Sequence, residues 1–296
     1  MSKSNDNGRA LEARLVEVIT QQNSKIRLIG STINDQIRDL VHFHALPIDQ
    51  QTDFSDFSIR YIQEVSIQEI DSIERLKDTA AKKGDVTDIR IIYKDKSVRN
   101  ISLKHNHDAC KHQRPAALIK NQLGILNKDL DAQYRNELNT IYQSFHSKVL
   151  PEDNENGDYL FRLVKERNPS IIKNLYSDVC NLVKKYLLEY ADETSIKKYF
   201  KFLVGNTTFE KVSVYPKTRT ITIKDFTSVA DATAVIDAYI HPDSGHLIVK
   251  FNNNFILDMR LHTASSRFAI GKALSLKFDS VVDMDNAPVP QQSFSF

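Results

Sequence analysis

Cysteine is nearly absent: Cys110 and Cys180 are the only two in 296 residues. Two are too few for a disulfide framework or a Cys-based zinc site, and each reads as a free, half-buried thiol. Gly and Pro, eight of each, stand at roughly half of average usage, which excludes collagen-like, linker-like and low-complexity chains. No run of 18 or more apolar residues occurs, so no transmembrane helix is expected. The opening MSKSNDNGRALEARL lacks the apolar stretch of a secretory signal. The expectation is a cytoplasmic protein without a membrane partner. A dominant charge is missing too, since 40 Lys and Arg against 38 Asp and Glu leave +2. What is present is ordinary globular composition, 41% hydrophobic and 26% charged. With neither an internal repeat nor a dividing linker, the chain reads as one domain over 1–296.

Charge is uneven along the chain. Residues 48–78 hold eight acids against Arg60, Arg75 and Lys77, a net of −5, whereas residues 94–120 hold seven bases against Asp95 and Asp108, a net of +5. His105, His107 and His112 can raise the second figure. A basic segment in a near-neutral chain suits a polyanionic partner, although such runs also arise as plain solvated faces.

The periodicity sets out the elements. An opening helix begins at a cap among Asn5, Asp6 and Asn7 and carries Leu11, Leu15, Val18 and Ile19 at helical spacing. Glu12 is out of place on it, stacked with Gly8, Val16 and Ile19 at the edge of the apolar face. Either it leans out to solvent or a cation holds it in a half-buried site. Residues 58–83 read as mixed helix and loop. Residues 88–93 and 98–104 are β-rich and form a hairpin pattern across 94–97. Helical spacing then returns from Leu130 to Val149, from Pro169 to Leu187, and from Asp192 or Thr194 to a stop at Gly205. From 207 onward the pattern is β, with strands expected at 211–215, 219–225, 233–240, 246–251, 254–262 and 273–282. In 254–262, Phe255, Leu257, Met259 and Leu261 share one face and Asp258, Arg260 and His262 the other.

The hairpin carries the chemistry. A three-residue loop makes opposed residue numbers sum to 192, placing Asp88 opposite Lys104 on one face; a two-residue loop makes them sum to 191 and separates the two. An acid at the start of one strand, a lysine near the end of the next and an acid from an earlier helix form the wiring of a Mg²⁺-dependent phosphodiesterase. Oxygen ligands suit Mg²⁺, and a lysine beside the attacking water stabilises developing negative charge. Simple hairpin ion pairs share that spacing.

The block Gly84-Asp85-Val86-Thr87-Asp88-Ile89, then Ile101-Ser102-Leu103-Lys104-His105-Asn106-His107-Asp108 with Lys111-His112, resembles the catalytic block of HaeIII-type restriction endonucleases, members of the PD-(D/E)xK nuclease superfamily. Ser4 to Ala10 with Glu12 resembles that family's opening helix. Arg260 to Ser265 with Leu276-Lys277-Phe278-Asp279 resembles its carboxy-terminal block. The blocks span the chain in order, while the helical middle matches poorly.

The resemblance implies an α/β fold with a PD-(D/E)xK nuclease-like mixed β-sheet core flanked by helices, a helical middle region and a β-rich C-terminal part. Core elements would occupy about 5–115, the helical region about 117–205 and a DNA-binding β-rich part about 207–285. Asp88 would be the metal-binding acid, with Thr87 before it in place of Pro, and Lys104 the motif lysine. Ser102 stands where the middle acid is expected, so the missing charge must come from elsewhere. Glu12 is the best source on physical grounds and Asp85 the reserve, although Asp85 also suits a turn cap. The implied reaction is Mg²⁺-assisted hydrolysis of double-stranded DNA at a short palindrome, with 5′-phosphates left; the HaeIII type implies GGCC cut bluntly. A DNA methyltransferase acting on the same site would be the functional partner, and a two-fold site favours a homodimer. The alternatives are a DNA-binding protein with a decayed nuclease site and a nonspecific or repair nuclease.

His105-Asn106-His107 spells the name of the HNH nucleases, but three consecutive residues on an extended chain alternate faces and cannot converge on one ion. The candidate DNA contacts are Asn106, His107, His112, Gln113 and Arg114 after the lysine, and Arg260, His262, Ser265 and Arg267 near the end.

Overall fold

The computed structural model describes residues 3–76, 85–106, 110, 112–206, 208–283 and 289–296. In chain order the helices are α1 (Lys3–Gln22), α2 (Thr32–His44), α3 (Ile48–Tyr61), α4 (Ile119–Gln122), α5 (Lys128–His146), α6 (Phe161–Arg167), α7 (Pro169–Glu189) and α8 (Glu193–Val204). The strands are β1 (Arg27–Leu28), β2 (Ile70–Arg75), β3 (Ile89–Tyr93), β4 (Val98–His105), β5 (Asn154–Glu155), β6 (Asp158–Leu160) and β7 (Glu210–Tyr215). They continue with β8 (Thr220–Asp225), β9 (Val235–Ile240), β10 (Leu247–Phe251), β11 (Ile256–Thr263), β12 (Arg267–Phe268), β13 (Leu276–Val282) and β14 (Gln291–Ser295). No helix among the described residues is long and apolar enough to cross a membrane.

The chain forms two compact units, one of Met1–Asp108, Asn206–Val229 and Val289–Phe296, the other of Ala109–Gly205 and Ala230–Pro288. The β-rich stretch after 207 is thereby divided: β7 and β8 belong with the hairpin, and β9 to β13 with the helical middle.

The first unit is built on a mixed seven-stranded sheet in the order β1-β2-β3-β4-β7-β8-β14. The pairs β1/β2 and β4/β7 are parallel and the others antiparallel. One helical face of α1, with Ala10, Leu11, Leu15, Val16 and Ile19, packs on Ile73, Ile89, Ile91, Ile101, Leu103, Val212 and Val214 in one fully buried cluster. The helix begins at Lys3, ahead of the expected cap among Asn5, Asp6 and Asn7. The stretch read as mixed helix and loop contains a central strand instead, β2. Ile70 and Ile73 lie three apart, a helical interval. A register shift between Ile70 and Ser72 skips Asp71, which lets both isoleucines face the core of a sheet.

The second unit pairs helices with the antiparallel sheet β13-β11-β10-β9 and a small sheet β12-β6-β5. Two of its helices, α7 and α8, start where the sequence marks them, at Pro169 and Asp192, whereas the starts of α4 and α6 are not marked. Asn127 caps α5 by accepting from Asp129 and Leu130 N–H, Asn168 caps α7 ahead of Pro169, and Asp192 rather than Thr194 caps α8, accepting from Ser195 N–H. Gly205, at φ 123°, ends α8. Tyr134 of α5 meets Tyr186 of α7 edge-on, and Phe200 of α8 packs on Phe251 and Phe255.

Candidate active site

The β3–β4 hairpin follows neither register set out from the sequence. Ile89 opposes Ile101 and Arg90 opposes Asn100, so opposed numbers sum to 190; Tyr93 N–H donates to Ser97 C=O, which leaves a three-residue loop at 94–96, one position before the 95–97 loop that would give 192. Asp88 sits just before β3, its N–H donating to Ile101 C=O at 2.8 Å, and its carboxylate reaches across to β4. There Oδ2 accepts a firm bond from Leu103 N–H at 2.7 Å and looser contacts from Lys104 Nζ and Ser102 Oγ, each at 3.4 Å. Asp88 and Lys104 therefore meet as expected, held by a backbone donor rather than by the register proposed. Ser102 is buried and supplies a hydroxyl where a second acid would stand.

Glu12 arrives from α1 and does not lean out to solvent. Its Oε2 accepts from Arg75 NH2 at 2.9 Å, and its side chain is 18% exposed. Burial pushes its pKa up, the negative charge of Asp88 pushes it further, and Arg75 and Lys104 only partly offset them, leaving it at about 7. Glu12, its charge opposed by burial and by Asp88 and its Oε1 making no hydrogen bond among the described residues, forms with Asp88 a donor set suited to a hard divalent cation.

Arg75 was not singled out in the sequence. Its guanidinium, 4% exposed, binds Glu12, Asp39 Oδ2 at 2.8 Å and Gln36 Oε1 at 3.0 Å. Gln36 in turn donates to Ala13 C=O, and Thr32 Oγ1 accepts from Arg75 N–H. Strand β2 is thus tied to α1 and α2 at the point where Glu12 is presented.

Asp85 does not join this pair. One of its oxygens accepts from Thr87 N–H in a turn and the other from Arg90 NH2 at 2.9 Å, so the reserve ligand is engaged elsewhere. Among the described residues no three His, Cys, Asp or Glu side chains gather as a metal cluster.

The expected DNA contacts fall into separate places. Asn106, in the first unit, is exposed at φ 60° with Nδ2 against His105 Nε2. His107 lies outside the described residues. Gln113 is a correction: it is fully buried, its Oε1 accepting from Tyr199 OH and its Nε2 donating to Gln122, so it cannot touch DNA. Arg114 beside it is exposed. Ser265 Oγ accepts from Arg267 N–H and donates to Arg267 C=O, closing a turn, while the Arg267 guanidinium pairs with Asp158 at 2.6 Å. His112, Arg260 and His262 converge on Asp279 of β13, with Lys277 beside them. The strand alternation at 254–262 made Arg260 and His262 legible; the convergence depends on which strands are neighbours.

No curated protein matches the chain. Among solved structures it is similar to restriction endonuclease MspI in complex with its cognate DNA, with 15% sequence identity, 82% of each chain covered and a TM-score of 0.28. A likeness that slight carries no argument. The HaeIII restriction endonuclease family matches residues 8–233, a stretch that includes Glu12, Asp88 and Lys104 and stops short of the 260–279 block. With well over half of its length matched, the chain belongs to the HaeIII restriction endonuclease family of site-specific deoxyribonucleases.

Proposed function

We propose that the protein is a type II restriction endonuclease that hydrolyses both strands of DNA at a short palindrome, using Mg²⁺ held by Asp88 and Glu12. The observation that carries this reading is the Asp88–Lys104 pair at the end of a mixed sheet with Glu12, whose charge Asp88 opposes, presented beside it from α1, the arrangement of a PD-(D/E)xK core with the second acid moved to a helix. When bound, the metal would neutralise charge on phosphate oxygens and acidify water. Leu103 N–H fixes the Asp88 carboxylate, and Arg75 fixes one oxygen of Glu12. Lys104 offers an ammonium to the attacking water and to the charge growing on the phosphate. Attack on phosphorus with departure of the 3′ oxygen leaves a 5′-phosphate. The family resemblance supports GGCC, cut bluntly, as the first sequence to test, and a methyltransferase acting on the same site as the functional partner. Asn106, His107, His112, Arg114, Arg260, His262, Ser265 and Arg267 are the DNA contacts proposed.

Plasmid DNA incubated with the protein should give discrete bands with Mg²⁺ and none with EDTA; a smear would indicate a nonspecific nuclease, and uncut DNA a binding protein. Asp88→Ala and Lys104→Ala should abolish cleavage while leaving DNA affinity within about tenfold. Cleavage retained by either variant removes the site assignment.

A further inference from the structure

The wet face of the second unit's sheet is organised around one acid. In the β11/β13 ladder Arg260 opposes Asp279 and His262 opposes Lys277. On the outer side of β13, Gln113 bridges to Phe278. That register places His112 beside Asp279 and Arg114 beside Lys277. Beneath lie Met259, Leu261, Phe278 and Gln113, all buried, so the lattice of Arg260, Asp279 and His112 over His262, Lys277 and Arg114 occupies the opposite, solvated face.

Asp279 holds this lattice together. Its Oδ1 lies 2.7 Å from His112 Nδ1 and 3.3 Å from Lys277 Nζ; its Oδ2 lies 2.6 Å from His262 Nε2 and 3.3 Å from Arg260 NH2. Burial works against its charge, but His262, His112 and Lys277 outweigh burial and keep the carboxyl below its ordinary range. Arg260 is 58% exposed and His112 47%, against 22% for Asp279. Arg260 and His112 thus stand at the surface, while His262, at 27%, and Lys277, at 22%, lie about as deep as the acid they contact.

We propose that this face binds the DNA of the nuclease reading above, and that Asp279 is a specificity-determining residue which occupies the bases so that a phosphate backbone alone cannot. A lattice of bases without an acid would bind any polyanion by counterion release. With Asp279 in contact with four of the five bases, a phosphate must compete for groups already paired. A duplex that offers hydrogen-bonding base edges as well as charge recovers that cost. Discrimination then comes from penalising the wrong partner, as specific interfaces commonly do.

The test measures binding in EDTA, where no cleavage occurs, using the full chain and two short duplexes, one with the sequence mapped from plasmid cut ends and one scrambled. Asp279→Asn is expected to bind the scrambled duplex at least about tenfold more tightly than wild type, with a log–log salt slope steeper by about 0.9 for each further phosphate neutralised. Its preference for the mapped duplex should fall by a similar factor. Arg260→Gln, an exposed change, should weaken binding to both. Scrambled-duplex affinity equal to or below wild type in Asp279→Asn, at an unchanged melting temperature, overturns the role of Asp279. Should that variant melt lower, Asp279→Ser carries the same comparison, and unaltered binding by Arg260→Gln removes the face itself. Loss of this inference while plasmid is still cut with Mg²⁺ leaves the nuclease reading intact. A nuclease reading that fails in the plasmid assay leaves the scrambled-duplex arm still decisive.

Discussion

A carboxylate at the edge of an apolar helix face must lean into water, give up its charge or meet a cation. Glu12 meets Arg75, yet burial and Asp88 still push it to about 7 from an ordinary value of 4.5. Between those values the folded chain binds more protons than the unfolded one, so this group's contribution to stability is present at low pH and lost as pH rises through about 7. In EDTA the wild-type melting temperature is therefore expected to fall from about pH 5 to about pH 8 by more than that of Glu12→Gln. Added Mg²⁺ is expected to restore more at the higher pH. Parallel melting profiles for the two proteins would show that Glu12 carries no such cost. Asp39 is fully buried, and although burial opposes its charge, Arg38 and Arg75 hold its carboxyl below the ordinary range. Arg75→Met leaves Asp39 to Arg38 alone and removes the partner of Glu12, and should cost about 2–3 kcal/mol through the lost charge-assisted hydrogen bonds; Asp39→Asn in the same chain should recover part of it, as urea midpoints would report. The misfit of Glu12 is visible in the sequence. Its partner is not, because Arg75 reads as one base among the acids of 48–78. Gln113 fails in the other direction, since nothing in an amide's letter says whether its bonds are made to DNA or to Tyr199 and Gln122.

Elements whose ends are written in caps were legible. Pro169 stands in the first turn of one helix, Asp192 starts another by accepting a backbone N–H bond, and Gly205 stops it. Those signals are local, so sequence carries them in full. Strand β2 was hidden because a bulge breaks the two-residue alternation by which strands are read, and the hairpin register was missed because the Tyr93–Ser97 bond sets the three-residue loop at 94–96 rather than at 95–97. A one-step slip would have separated Asp88 from Lys104; the actual slip was two, and the pair survived. Gly124 offers an element-scale test of how tightly the helices are set. At φ 75°, a Cβ there would lie 2.3 Å from Ser195 C=O and 2.9 Å from Lys198 Cβ, both on α8. Gly124→Ala combines a left-handed backbone with a collision against main chain, and is expected to lose about 2–4 kcal/mol. Urea unfolding checks this, and an unchanged midpoint would mean that α8 shifts freely.

At the scale of the whole molecule, family membership was legible because the sequence blocks that resemble the family keep their order along the chain, whereas the division into two compact units was not, since both are discontinuous in sequence. One consequence is arithmetic. Each chain supplies one Glu12, one Asp88 and one Lys104, hence one proposed centre, while a restriction site presents two strands. Cleavage of both requires two copies together or one copy acting twice. A two-fold site is matched most directly by a two-fold pair, with each copy cutting one strand. If so, supercoiled plasmid should pass to linear product with little nicked circle. An excess of Asp88→Ala chain mixed with wild type should change that outcome, because mixed pairs hold one working centre and stop after a single cut. Nicked circles are then expected to accumulate in proportion to the inactive chain. If linear product forms at an unaltered rate and no nicked circles build up, the chains act singly, and the same centre must turn over twice at each site.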